Sequence, residues 1–168
     1  PKWIFHDGGP DGEQVVRGII QGAPAHLKRG GTLFMQAMGT DRADGSFEER
    51  IRRWLGDSES DFDVAIVTRS SYEPQEFAVR LVAERSSDAG DISKWKQLFE
   101  DLKITSLFTG LMILKKKDSN RPPFTVRRQL GASTGRSEID WLMWWESEVA
   151  NGTAARRVLE LPLEAVPK

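Results

Sequence analysis

Apolar residues at Val15, Val16, Ile19, Ile20, Ala23 and Leu27 recur three and four positions apart, which predicts a helix opening at Glu13. Glu13 lies near its positive end and Lys28-Arg29 near its negative end, and Gly30-Gly31 supplies the stop. Pro24 is expected to kink or divide this helix. Thr32 to Met38 is then a short, nearly unbroken apolar run between glycines, the pattern of a strand buried on both faces. Ser46 followed by Glu49 reads as a capping box, and Phe47, Ile51, Trp54 and Leu55 form one apolar stripe that ends at Gly56.

Phe62 to Val67 reads as a second buried strand, Glu73 to Glu84 as a helix and Ser86 to Gly90 as a flexible break. Ile92, Trp95, Leu98, Phe99 and Leu102 have helical spacing, and Ile104 to Leu114 is a long β-branched and apolar run. Helices alternate with strands throughout, which predicts an α/β layered sheet. Asp118 to Pro123 is a polar linker and Gly131 to Gly135 a small-residue loop. Ser137 is expected to cap a helix carrying Ile139, Trp141, Leu142, Trp144, Trp145 and Val149, and Arg156 to Leu163 to form a short edge strand. The organisation expected is an α/β unit over 1–117 with a carboxyl-terminal extension over 118–168 packing on it.

Composition narrows the function classes. The 168 residues hold 24 basic and 25 acidic side chains, a net charge of −1, so no overall pull on a polyanion follows. The 39% of hydrophobic residues is enough to bury a core. With no cysteine, a disulfide scaffold, a thiolate zinc site and a Cys nucleophile are all excluded. Two histidines, His6 and His26, are too few for most metal sites, and no metal site is expected. The longest apolar run, Ile104 to Leu114, stops at a lysine triplet well short of a membrane span, so no membrane partner is expected. Pro1 is followed at once by the apolar Trp3-Ile4-Phe5, and the chain reads as a sequence entered partway through.

Each candidate motif has a plainer reading beside it. The Asp7-Gly-Gly-Pro-Asp-Gly12 turn is able to cradle an anion at a helix start, but an ordinary loop-to-helix entry accounts for it as well. It is neither a dinucleotide fingerprint nor a P-loop, since no strand with the required glycine spacing precedes it and no Lys-Ser/Thr pair follows. His6 beside Asp7 has the chemistry of a general base, although a lone histidine at a turn is usually a polar edge residue. Lys115, Lys116, Lys117, Arg121, Arg127 and Arg128 set six cations against Asp118, a phosphate-contact pattern whose plainer reading is a set of gatekeepers after an apolar strand. Trp141, Trp144 and Trp145 offer a stacking platform, or else core. Glu48-Glu49 is placed on a solvated helix face.

The Asp7-Gly-Gly-Pro-Asp-Gly12 turn, the helix after it and Leu27-Lys-Arg-Gly-Gly31 resemble the stretch that follows the catalytic Asn-Pro-Pro-Tyr/Phe loop of class I S-adenosylmethionine-dependent methyltransferases. The likeness is to the release-factor glutamine methyltransferases and their "small domain" relatives of bacterial type. Trp54, Tyr72-Glu-Pro74, Trp95 and Gly110 fit the same pattern, which covers roughly residues 4 to 117.

The resemblance implies a partial Rossmann-like sheet. Gly31 to Met38 is its strand five, Phe62 to Arg69 its strand six, and Ile104 to Lys115 its strand seven, inserted antiparallel between them. It further implies a cytoplasmic enzyme whose glycine-rich cofactor loop and catalytic loop lie upstream. S-adenosylmethionine is then the cofactor of the longer parent, and this chain alone is expected to hold none and to be inactive. His6, Asp7, Gly39, Thr40, Asp41, Ser71 and Tyr72 are the implied substrate-proximal residues, because ligands of open α/β sheets sit beyond the carboxyl ends of strands. The expected partner is the amino-terminal half of the same protein, with self-association through the open strand-five edge as a second expectation. Nucleic acid is not expected. The rival reading is a non-catalytic binding or assembly module built on the basic stretch and the tryptophan helix.

Overall fold

A computed structural model of the chain describes residues 8–85, 90–129, 131 and 134–161. Helix α1 spans Gln14–His26 and leads into strand β1, Thr32–Arg42. Helix α2, Phe47–Leu55, and a 3-10 turn, Gly56–Asp61, precede β2, Phe62–Tyr72. Two helices follow, α3 over Pro74–Arg85 and α4 over Gly90–Asp101, before β3, Ile104–Lys116. The chain closes with β4, Thr125–Gln129, and helices α5, Arg136–Ala150, and α6, Ala154–Glu160.

The four strands form one mixed sheet in the order β1-β3-β2-β4. β3 lies antiparallel between β1 and β2, so those two run in the same direction, and β4 adds parallel to β2. The protein is therefore α/β with helices against the sheet. Its carboxyl-terminal stretch does more than pack on that sheet, since it supplies the fourth strand.

Alternation along the strands sorts the core. Phe62, Val64 and Ile66 of β2 and Phe108, Met112 and Leu114 of β3 face α1 and α2, where they meet Ile20, Ala23, Phe47, Ile51 and Leu55. Ala65, Val67 and Ile113 point the other way, onto Leu142 and Met143 of α5 with Phe124 and Val126. A third cluster joins Phe77, Ala78 and Phe99 of α3 and α4 to Leu107. The capping box of α2 is present: Glu49 N donates to Ser46 Oγ, and Ser46 N to Glu49 Oε2 at 2.7 Å.

Several sequence expectations need correction. β1 is an edge strand that buries one side only: Phe34 and Met38 are each 48% exposed. Apolar composition predicted double burial, but a strand with one neighbour has less to lie against. Pro24 does not divide α1, which continues through it to His26; the proline has no N–H for the Ile20 carbonyl, and only two helical residues follow it. Gly135, not Ser137, precedes the first residue of α5, and residues 156–160 are helical instead of an edge strand. The break expected over Ser86–Gly90 falls mostly outside the described residues. Among the described residues no helix is long and apolar enough to cross a membrane.

Candidate functional site

β1 and β2 end on the same side of the sheet, which brings the predicted residues into two rows. Gly39 and Ser71 both register with Phe108, and Thr40 and Tyr72 both register with Leu107. Two interstrand spacings, about 10 Å, separate the members of each row. Gly39 is buried, and a side chain there would run into the Phe108 ring and come within 2.9 Å of Phe47 Cδ1. It is a packing glycine. His6 and Asp7 lie outside the described residues.

Thr40 and Asp41 are held by two separate ionic clusters. Glu13 is only 4% exposed at the entry to α1. Its carboxylate accepts from Arg50 Nε at 3.2 Å and Nη2 at 2.7 Å, from Thr40 Oγ1 at 3.1 Å, and pairs with Arg42 Nη2 at 3.1 Å. Arg50 also donates to the Thr40 carbonyl. The turn before α1 joins this cluster through Asp11, which pairs with Arg17 and accepts from Glu13 N at 3.1 Å. Burial raises the Asp11 pKa, but the hydrogen bonds from Glu13 N and Arg17 and the charges of Arg17 and Arg42 outweigh it and hold the carboxyl below its ordinary value.

Asp41 belongs to the second cluster. Arg127 crosses from β4 and donates to both Asp41 oxygens at 2.7 Å and to both Glu48 oxygens at 2.5 Å. Phe47 N at 3.0 Å and Ser106 Oγ at 2.9 Å complete the Asp41 shell. Burial raises the Asp41 pKa, yet the bonds from Arg127, Phe47 N and Ser106 together hold it below the usual carboxylate range. Desolvation likewise lowers Arg127, and its two carboxylate partners more than reverse that, so it stays charged. Glu48, expected on a solvated face, is buried as the second partner of Arg127. At the end of β2, Tyr72 Oη accepts from Arg80 Nη1 at 2.9 Å, while Ser71 is exposed.

The basic stretch is largely consumed inside the fold. Lys116 Nζ donates to the Pro24 carbonyl at 2.8 Å, Lys117 to the Arg121 carbonyl, and Arg121 grips the fully buried Asp63. Arg127 is occupied as above, and Arg128 pairs with Glu146 at 3.0 Å. Of the tryptophans, Trp141 and Trp145 stack in parallel, 5.8 Å apart, with Trp141 54% exposed. Among the described residues no cluster of His, Asp and Glu has the arrangement of a metal site.

Sequence reasoning named Glu13 only as a helix-start acid and Arg127 only as a candidate phosphate contact, and it did not single out Arg50, yet these three residues shape this end of the sheet. Their ion-pair partners lie 29 to 86 positions away, so no local pattern announces the pairs. The described residues do not by themselves fit a nucleotide-like cofactor. The polar atoms of Thr40 and Asp41 are already bonded, and the glycine turn before α1 is closed by Gln14 N donating to the Gly8 carbonyl at 2.7 Å. No protein-family profile matches this chain, and no curated protein is significantly similar to it.

Proposed function

We propose that this chain is the carboxyl half of a class I S-adenosylmethionine-dependent methyltransferase, completing its sheet and one wall of the substrate cleft. The observation that carries the reading is an antiparallel strand, β3, seated between two strands that run in parallel, β1 and β2. That order is the one implied by the resemblance around residues 7–33. Gly39, Thr40, Asp41, Ser71 and Tyr72 then border the acceptor at the strand ends, with His6 and Asp7 on the segment entering from the catalytic loop. Cofactor binding and the methyl transfer itself are assigned to the preceding half, and the chain alone is inactive.

Calorimetric titration with S-adenosylmethionine tests this on two samples, the 168-residue chain and the whole gene product that contains it. The expected outcome is binding by the longer protein alone. A whole gene product that takes up no cofactor would overturn the reading. In that case the exposed Trp141–Trp145 stack favours a non-catalytic binding or assembly module.

A further inference from the structure

We propose that the rim of the sheet formed by the turn before β1 and the end of β3 is a docking surface for the phosphodiester backbone of a duplex nucleic acid. The inference rests on where the fold places its cations and not on the methyltransferase reading. The net charge of −1 gives no overall pull on a polyanion. The fold nevertheless sorts its cations into two kinds. Arg42 and Arg50 pair with Glu13, Arg127 with Asp41 and Glu48, Arg121 with Asp63, and Arg128 with Glu146. Lys28, Arg29, Lys115, Lys116 and Lys117 are in no ion pair among the described residues. The Nζ groups of Lys116 and Lys117 donate to the Pro24 and Arg121 carbonyls, bonds that use one of three ammonium hydrogens and cancel no charge.

Backbone pairing brings these five together from distant parts of the chain. Thr32 registers with Lys115, Gly30 N donates to the Lys116 carbonyl at 2.8 Å, and Lys116 N donates to the Gly31 carbonyl at 2.9 Å. The 28–31 turn, closed by Gly31 N on the Lys28 carbonyl, is thereby fastened beside 115–117. Lys28 and Arg29 are exposed, and Lys115 to Lys117 are half-buried. The acids on the same rim are Asp118, next to Gly30, and Asp61, whose carbonyl accepts from Lys117 N. Five cations against two acids leave an excess of positive charge. The rim lies at the opposite end of the sheet from Thr40 and Asp41, and helix α1, about 20 Å long, separates it from the Gly8–Gly12 turn. Chemistry then selects the partner. Among the described residues, no exposed large apolar side chain falls within 24–33 or 113–124. A membrane surface takes up apolar or aromatic side chains, a protein interface has an apolar centre, and single strands are gripped by stacking. A duplex backbone asks only for cations that meet its phosphates.

Fluorescence anisotropy on the whole gene product that contains this chain, with a short labelled duplex made once as DNA and once as RNA, tests the proposal. Binding of either duplex is expected at about 50 mM salt, with affinity falling at a log–log slope of about −3 to −5 as salt rises. Lys28→Gln combined with Arg29→Gln changes two exposed side chains, so far-UV circular dichroism is expected to stay native. The pair is expected to weaken binding at least about tenfold and to flatten the slope by about 2, and Lys115→Gln to flatten it by about 1 more. Arg136→Gln, on the exposed side of α5, is expected to change neither. Absence of binding at about 50 mM salt would overturn the proposal, and so would a duplex affinity indifferent to Lys28, Arg29 and Lys115. Equal or tighter binding of polyglutamate, or of phosphatidylserine vesicles, lost in the same variants, would overturn it too and assign the rim to an acidic protein or a membrane. The cofactor titration does not depend on this rim, so the two readings fail separately.

Discussion

The Arg127 guanidinium lies 4.3 Å above the centre of the Phe108 ring while its nitrogens grip Asp41 and Glu48. One side chain from β4 thereby ties together β1, α2 and β3. Removing it leaves two carboxylates facing each other in a partly dry site. Arg127→Leu is expected to cost roughly 2–3 kcal/mol, less than for a fully buried pair because these side chains keep 10–29% exposure. Urea unfolding checks this, and a loss smaller than measurement error would show the grip to be ornamental.

The same cluster sets an acid limit. Asp41 and Asp11 have folded pKa values below their unfolded values. Their contribution is therefore fully present above the unfolded carboxylate range, near pH 4, and disappears as pH falls through the lower folded values. Unfolding free energy measured against pH is expected to be level from neutral to about pH 5 and to drop below about pH 4. In Asp41→Asn the drop is expected to be shallower.

Gly39 and Gly110 separate two kinds of close approach. A methyl at Gly39 meets the Phe108 and Phe47 rings, while one at Gly110 meets the Val67 carbonyl and Thr68 Cα. Gly39→Ala is expected to cost about 1–3 kcal/mol and to be partly rescued by Phe108→Leu, since a side chain is able to give way. Gly110→Ala is expected to resist every side-chain rescue, because backbone is the obstacle. Thermal melts of the four variants decide it.

Glu13 is the anion for two guanidiniums in a nearly dry corner. Glu13→Gln is expected to destabilise by about 3 kcal/mol. A double-mutant cycle with Arg50→Met is expected to give strong coupling, with the pair of changes costing well below the sum. Additive losses would mean that Arg50 works through the Gly45 and Thr40 carbonyls instead.

Where the deciding contacts are local, the chain was readable. Ser46 and Glu49 cap α2 from three residues apart, and the stripe from Phe47 to Leu55 packs as spaced. β4 was not readable, because Thr125 to Gln129 holds a single apolar residue, Val126, and its neighbour β2 lies some sixty positions earlier. Glu48 was misjudged for the same reason, since the cation that permits its burial arrives from 79 residues away. At the other end, Arg156 to Leu163 reads as a short edge strand, but residues 154–160 are helical, with Arg157 paired to Glu160 and to Glu148 of α5 and Thr153 Oγ1 bonded to the Glu148 carbonyl, and no local pattern announces the contacts to α5. The candidate site was legible as a place, the carboxyl ends of β1 and β2. Its ionic scaffold was not.

The central position of β3 has a consequence for synthesis. β1 and β2 do not touch each other; both pair with a strand made after them. At roughly 5–20 residues per second, several seconds pass between the emergence of β1 and that of Ile104 to Lys116. During that interval neither strand has its β3 partner, and neither can template the other in the native order. Arrival of β3 then closes both ladders at once, so the nascent chain is expected to pass from protease-sensitive to protected in a single step near residue 116 plus the length of the exit tunnel.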